Sequence, residues 1–445
     1  MASAVGQLTS QSFVTAFSKA DELKKRIIFT LIALLVYRLG TYIPIPGIDI
    51  EALRAVFSQK RGGILDMFNM FSGGALHRMT VFALNIMPYV SASIIMQLMT
   101  SLSPNLEALK KEGESGRKKI NQYTRYLTVL LAAVQAYGMA VGLERMSSGS
   151  SSVVLAPGLM FKLTTVVTLV GATVFLMWLG EQITSRGIGN GISLIIFSGI
   201  VAELPSAFMQ TLELGRTGAL SPFVVLAMFA AAAVVVFFIV FMERAQRRII
   251  IQYPKRQVGN RVSGGESSHM PLKLNTAGVI PPIFASSLLL LPITIAGFSG
   301  ADNGWAASIS RYLAHGQPIY MVFYSLLIVF FSFFYTAIVF NPNETADYLR
   351  KAGGFIPGVR PGKNTADHLD YILTRITVVG AAYMVAVCLL PELIISKLSL
   401  PFYFGGTSLL IIVSVTMDTV TQIHSHLLAH QYEGLLKRSR LRGRR

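Results

Sequence analysis

Residues 219–242 read ALSPFVVLAMFAAAAVVVFFIVFM, a run without one charged side chain. A bilayer core is crossed by about 20 apolar residues of helix, so this run is long enough to span it. Lipid cannot satisfy bare backbone N–H and C=O groups, which leaves a helix or a closed barrel, and the absence of period-2 alternation selects the helix. Working outward, nine further stretches have the same character: 27–43, 79–102, 124–145, 158–180, 190–211, 274–297, 318–340, 374–395 and 404–423. The fold class expected is therefore an all-α polytopic membrane protein with ten transmembrane helices.

The whole chain agrees with that reading. It has 445 residues, 52% hydrophobic and 14% charged, with a mean hydropathy of +0.55 and a formal net charge of +17. Such a composition excludes a soluble enzyme. Most of the 39 Lys and Arg fall on the side of the N-terminus, in clusters at Lys24 to Arg26, Lys110 to Lys119, Arg244 to Arg261, Arg350 to Lys363 and Lys437 to Arg445. The positive-inside bias then places both termini in the cytoplasm. Part of the excess is topology, and the surplus calls for a partner.

Cys388 is the single cysteine and sits in an apolar stretch, so neither a disulfide framework nor a thiolate metal site is expected. The first apolar run follows Lys24-Lys25-Arg26 and leads into Pro44-Ile45-Pro46-Gly47 with no small-residue cleavage site, which reads as a retained span. Before it, Phe13, Val14, Phe17 and Leu23 among polar residues make residues 12–23 an amphipathic segment for the leaflet surface.

Two cytoplasmic loops, 243–273 and 341–373, are longer than neighbouring helices need, and length of that kind suggests a docking surface. The second carries Gly353-Gly354-Phe355-Ile356-Pro357-Gly358-Val359-Arg360-Pro361-Gly362-Lys363, a density of Pro and Gly that makes a stiff turn projecting Arg360. The plainer alternative is a solvated turn with a topological charge. An internal echo links Ile86-Met87-Pro88-Tyr89-Val90-Ser91-Ala92-Ser93 to Val279-Ile280-Pro281-Pro282-Ile283-Phe284-Ala285-Ser286, five spans apart. It is either coincidence or the mark of two five-helix halves of opposite orientation, each with a proline-interrupted helix beside a central passage.

Between the first two spans, Gly62 to Gly74 is apolar and bracketed by glycine pairs, with Ile64, Met67, Phe68 and Phe71 at helical spacing on one face. It reads as an interfacial or re-entrant helix, or as a small movable one hinged at its glycines.

Several chemistries are missing. Gly362-Lys363-Asn364 lacks the upstream glycine and the hydroxyl of a phosphate-binding loop, so ATP hydrolysis by that route is excluded. Arg186-Gly187-Ile188-Gly189-Asn190-Gly191 follows no strand and reads as a tight cytoplasmic turn. His424, His426 and His430 include an i, i+4 pair, but no nearby carboxylate or thiol completes a metal site. The spans hold no nucleophile–base set for proteolysis. Their centres are nearly free of carboxylates, with Arg38 inside the first span and Asp418 near the cytoplasmic end of the last, which disfavours ion-coupled transport. Three classes stay open on these residues: a channel with an apolar constriction, a coupled small-solute transporter, and a scaffold without a pore.

The segments Arg61 to Gln97, Lys110 to Tyr126, Phe175 to Val201, Glu243 to Val258, Leu274 to Ser286, Phe333 to Gly362 and Pro401 to Asp418 resemble the bacterial SecY family, channel subunits of the general secretion translocon. The motifs Met67-Phe68-Asn69-Met70-Phe71-Ser72-Gly73-Gly74-Ala75-Leu76 and Pro401-Phe402-Tyr403-Phe404-Gly405-Gly406-Thr407-Ser408 carry most of it, and it extends over nearly the whole chain. The resemblance implies two pseudo-symmetric halves, 24–212 and 213–425, with an N-terminal segment 1–23 and a basic tail 426–445. It also implies a protein-conducting channel of the bacterial cytoplasmic membrane, without cofactor or catalysis, that passes unfolded secretory chains and releases transmembrane segments sideways.

The family's constriction ring falls on Ile86, Val90, Ile192, Ile196, Ile283 and Ile411, where Val90 departs from the family isoleucine. An apolar ring expels water and blocks ions while adapting to any passing side chain. The plug falls on residues 63–72, including Ile64, Leu65, Met67, Phe68, Met70 and Phe71. The lateral gate falls on Pro88, Ser91, Gln97, Pro281, Ser286 and Ser287, with the two prolines expected to weaken backbone hydrogen bonding in their spans. SecA or the ribosome is implied to dock on Arg247, Arg248, Lys255, Arg256 and Arg360. Contacts to ribosomal RNA would be phosphate-driven and salt-sensitive. SecE, SecG, SecDF, YidC, signal peptides, nascent chains and the lipid bilayer complete the implied partners. The tail Lys437 to Arg445 serves lipid, rRNA or topology alone.

Overall fold

The computed structural model describes residues 21–53, 69, 72–145, 147–148, 151–218, 221–253, 256–258, 261–263, 267–298, 317–398 and 406–442. Twelve helices and three short antiparallel ribbons lie among them. The helices are α1 (Asp21–Gly40), α2 (Met87–Leu102), α3 (Pro104–Lys111), α4 (Glu114–Arg145), α5 (Leu159–Arg186) and α6 (Gly191–Arg216). They continue with α7 (Pro222–Arg244), α8 (Ile280–Phe298), α9 (Pro318–Val339), α10 (Pro342–Lys351), α11 (Lys363–Leu398) and α12 (Gly406–Arg442). The strands are β1 (Ser147–Ser148), β2 (Ser151–Ser152), β3 (Gln246–Gln252), β4 (Arg256–Val258), β5 (Arg261–Ser263) and β6 (Ser267–Lys273).

Seven helical stretches are long and apolar enough to cross a membrane: Glu114–Glu144, Leu159–Arg186, Gly191–Arg216, Pro222–Arg244, Pro318–Lys351, Lys363–Pro391 and Gly406–Ala429. The other three expected spans coincide with α1, which carries Lys24, Lys25, Arg26 and Arg38, with the 16-residue α2, and with α8, whose apolar stretch is Ile280–Leu289. This is an all-α, multi-pass membrane protein. Helix α7 shows what its solvent is: Phe223 is 84% exposed and Phe237 73%, while only Val225 and Ile239 are buried. A helix apolar on every face yet uncovered by protein is one covered by lipid.

The prolines of the echo act differently from expectation. Pro88 is the second residue of α2 and Pro281 the second of α8, and residues 72–86 ahead of α2 form a chain of turns. A proline in the first turn lacks an N–H that has no intrahelical partner anyway. Both prolines therefore start their helices, and neither weakens an interior hydrogen bond. Prolines deeper inside the described helices are Pro205 in α6, Pro292 in α8 and Pro391 in α11.

The chain forms two compact units. One comprises Met1–Met209, Thr294–Ala306 and Val415–Arg445; the other comprises Gln210–Ile293 and Ala307–Ser414. In the first unit α4 packs on α2 and α5, and α1 on α5. The turn from α5 to α6 is fixed from two sides: Ile188 N–H donates to Thr30 Oγ1 (3.1 Å), and Gly189 N–H to Gln422 Oε1 (2.8 Å). Leu23, Ile188 and Leu427 close a small apolar cluster there, which is why the end of α12 belongs with α1. In the second unit α11 packs on α9 and α10, and α12 starts beside it. Tyr324 OH and Thr407 Oγ1 share a buried hydrogen bond of 2.9 Å, and a Cβ on Gly406 would run into the Val387 carbonyl oxygen.

Candidate functional site: the loop platform and the expected channel residues

The two long loops build one object. The 243–273 loop is a ribbon in which β3 pairs antiparallel with β6 from Gln246↔Lys273 to Gln252↔Ser267, with β4 and β5 paired at its far end. Along β3, Ile249 and Ile251 are buried between exposed neighbours, as one-sided packing of a strand requires. The 341–373 loop is α10, a glycine-punctuated turn at 352–362, and the first turns of α11. Asn341 caps α10 by accepting from Asn343 N–H (3.1 Å), with Pro342 at its start and Arg350 and Lys351 at its end.

The loops are joined by backbone and by core. Gln252 N–H donates to the Phe355 carbonyl (2.9 Å) and Phe355 N–H to the Gln252 carbonyl (3.0 Å), a two-bond bridge. Beneath it Ile249, Leu272 and Ile356 pack with Leu369, Ile372, Leu373 and Ile376 of α11 in one buried cluster. Each fully buried aliphatic side chain contributes about 1.5–3 kcal/mol, so this cluster holds the ribbon more firmly than the two hydrogen bonds do. Gly354 fits because it has no side chain: a Cβ would stand 3.0 Å from Tyr253 Cε1 and 3.1 Å from Ile251 Cγ2.

Arg360 is exposed, as the loop sequence predicts, and its backbone is held: the Thr365 hydroxyl donates to the Arg360 carbonyl (2.9 Å) while Thr365 N–H donates to Gly362 (3.0 Å). Arg247 and Arg248 are exposed on β3, opposite Leu272 and Pro271. Arg256 lies in β4, its side chain outside the described residues, as is Lys255 altogether. The ribbon bridge, Gly354 and Thr365 were not singled out from sequence. The Gly353-Gly354 pair was the available signal, since adjacent glycines mark either a turn or a close approach.

The expected constriction residues lie on helix starts. Ile86 caps α2 and Val90 follows one turn later, its N–H donating to the Ile86 carbonyl (3.1 Å); both are buried. Ile192 and Ile196 have the same spacing on α6, with Ile196 buried and Ile192 half-buried. Ile283 of α8 and Ile411 of α12 are buried in the second unit. Of the expected gate residues, Ser91, Ser286 and Ser287 are buried; the two α8 hydroxyls donate to the Ile283 carbonyl (2.9 and 2.8 Å), and Gln97 Nε2 donates to Ser93 Oγ (3.3 Å). Plug residues Ile64, Leu65, Met67, Phe68, Met70 and Phe71, and the amphipathic residues Phe13, Val14 and Phe17, lie outside the described residues.

The segment that follows the expected plug is described, and it is unusual for a membrane protein: turns at 72–86, nearly all buried. Its polar backbone is paired with protein, as non-helical chain at membrane depth demands. Tyr37 OH donates to the Ser72 carbonyl (3.4 Å), Arg38 Nη1 to Gly73 (3.2 Å), Ile45 N–H to Met79 (3.0 Å) and Val81 N–H to Ile43 (2.9 Å). Arg38, the basic residue inside the first expected span, thus finds a carbonyl partner.

Comparison with known proteins places these features. The SecY family model matches residues 80–420. Protein translocase subunit SecY of Rickettsia typhi is 56% identical over 428 residues, covering 96% of this chain and 99% of that protein. Among solved structures, "The structure of a protein conducting channel" superposes with a TM-score of 0.65 at 17% identity, covering 91% of this chain and 92% of the other. Sec61 in the canine ribosome-channel complex from the endoplasmic reticulum does so with 0.61 at 16%, over 91% and 92%. The structural likenesses carry the fold, and the sequence matches, near full length on both sides, carry the family: the chain belongs to the SecY family.

Proposed function

We propose that this chain is the protein-conducting channel subunit of a bacterial Sec translocon, a transport protein of the cytoplasmic membrane and not an enzyme. The observation that carries this is 56% identity to a protein translocase subunit along 96% of the chain. Secretory proteins cross it unfolded, and transmembrane segments leave it sideways into lipid. Ile86, Val90, Ile192, Ile196, Ile283 and Ile411 form the constriction; their branched aliphatic side chains, all buried except the half-buried Ile192, suit a seal that repels ions without selecting among peptides. Residues 63–72 act as the plug, supported by their glycine brackets and by the anchored turns that follow them.

Helices α2 and α8 form the lateral gate, with Pro88 and Pro281 setting their starts and Ser91, Gln97, Ser286 and Ser287 among their gate residues. The halves are 24–212 and 213–425, with both termini cytoplasmic. The platform of β3, β6 and the 352–362 turn receives SecA or the ribosome through Arg247, Arg248, Lys255, Arg256 and Arg360. The exposure of Arg360 on a fixed backbone, and the ribosome bound by the structurally similar canine channel, support this. SecE and SecG complete the membrane complex, with SecDF and YidC as further partners.

SecA-dependent transport of a signal-bearing preprotein into proteoliposomes containing this chain with SecE and SecG tests the reading. Wild type transports, and Arg360→Glu loses at least about tenfold of the rate, since reversing a charge in a desolvated contact costs more than about 1.4 kcal/mol. Transport by both would keep the channel and remove Arg360 from docking. Its absence in both, in folded complexes, would overturn the channel.

A further inference from the structure

The platform holds a residue whose geometry assigns it a role. Thr365 is 3% exposed, three positions into α11, and its hydroxyl reaches back to the Arg360 carbonyl at 2.9 Å. On the other side of Arg360 the chain is fixed again: Val359 N–H donates to the Ile356 carbonyl (3.1 Å), Ile356 is buried in the α11 cluster, and Phe355 is bridged to Gln252. Between these anchors Pro357, Arg360, Pro361, Lys363 and Asn364 are exposed, and of these Arg360 is the charged side chain at the turn itself. The glycines at 358 and 362 have φ of 82° and 109°, a left-handed backbone that glycine adopts without steric cost, so the chain can bend at both positions between the anchors.

We propose that Thr365 is a positioning residue for docking: its hydroxyl, together with the Gln252–Phe355 bridge, preforms the 355–365 loop so that Arg360 meets its partner without first being ordered. This rests on the docking reading given above. An exposed loop that must be ordered on binding loses affinity, and preorganisation removes that cost. Arg360 presented on a fixed backbone can aim its planar fork at a carboxylate or carbonyl of SecA from the first encounter. The same bridge makes Gly354 and Tyr253 part of the device, because a Cβ at 354 would press on Tyr253 Cε1 (3.0 Å) and Ile251 Cγ2 (3.1 Å), the two neighbours of the bridged Gln252.

Binding of SecA to the reconstituted complex, followed as association and dissociation rates, separates this from a purely structural role. Thr365→Val removes the hydroxyl at nearly constant shape and is expected to weaken binding about threefold to tenfold, the range of one net hydrogen bond. Thr365→Ser keeps the hydroxyl and is expected to bind as wild type. Combined with Arg360→Ala, Thr365→Val is expected to add nothing further, since there is then no side chain to position. Gly354→Ala is expected to weaken binding similarly and to be rescued in part by Tyr253→Ala, which leaves the Ile251 contact in place. Equal loss in Thr365→Ser and Thr365→Val, or an undiminished effect of Thr365→Val in the Arg360→Ala background, would overturn the positioning role. Arg360→Ala binding as tightly as wild type would instead overturn the docking reading itself.

Discussion

Two non-helical stretches of this chain are rich in turns, and their glycines meet different surroundings. Residues 72–86, in the first unit, are buried almost throughout; residues 352–362, in the second, lie largely in solvent above a buried Ile356. At Gly73 a Cβ would stand 2.6 Å from Arg38 Nη1 and 3.0 Å from the Gly199 Cα, and at Gly40 it would enter the Phe82 ring. At Gly353, Gly358 and Gly362 nothing lies within 4 Å of the same imagined atom, yet all three have positive φ. The first segment uses glycine for room as well as for a backbone angle, the second chiefly for the angle. In a buried turn the surrounding protein fixes the path, and glycine lets that protein come close. In an exposed turn the residue itself must supply the path.

The sharpest way to break that contrast is Gly73→Ala. Gly73 has φ of 64° as well as crowded surroundings, so the substitution meets both penalties: left-handed backbone for an alanine, and displacement of Arg38 from its carbonyl partner or of α6 at Gly199. The expected loss is about 2–4 kcal/mol, the sum of roughly 1–2 for the angle and 1–3 for overpacking, less what relaxation recovers. The thermal midpoint of the purified complex should fall well below that of Gly358→Ala measured alongside. A smaller fall for Gly73→Ala than for Gly358→Ala would mean that crowding at 73 is readily relieved, and the contrast would fail.

The contrast also explains what could be read before the structure. Span existence was legible because a bilayer imposes length and apolarity on each segment separately, and residues 219–242 need no neighbour to be recognised. Arg360 was legible because proline and glycine flanking an arginine describe a turn locally. Residues 79–86 were taken as the start of a span, since their composition is apolar and their departure from helix rests on partners far along the chain, Ile43 and Ile45. The proline echo was seen but misread: its residues reveal an interruption, whereas only the preceding turns show that each proline begins a helix. Thr365 was invisible for the same reason as Gly354. A threonine five residues after an arginine is ordinary until the backbone folds one onto the other.

The smallest effect is the most discriminating for the exposed turn. If glycine at 358 supplies only φ of 82°, with open space around it, then the substituent's size should not matter and its left-handed propensity should. Gly358→Ala is then expected to cost roughly 1–2 kcal/mol, and Gly358→Asn only a few tenths, because asparagine visits the left-handed region routinely. Melting the two variants beside wild type should order them wild type, Asn, Ala. A bulky polar residue tolerated better than a small apolar one cannot arise from packing, which would rank them the other way. Equal losses for both would show that 358 faces a neighbour in the assembled translocon, and the turn would then belong with the buried class.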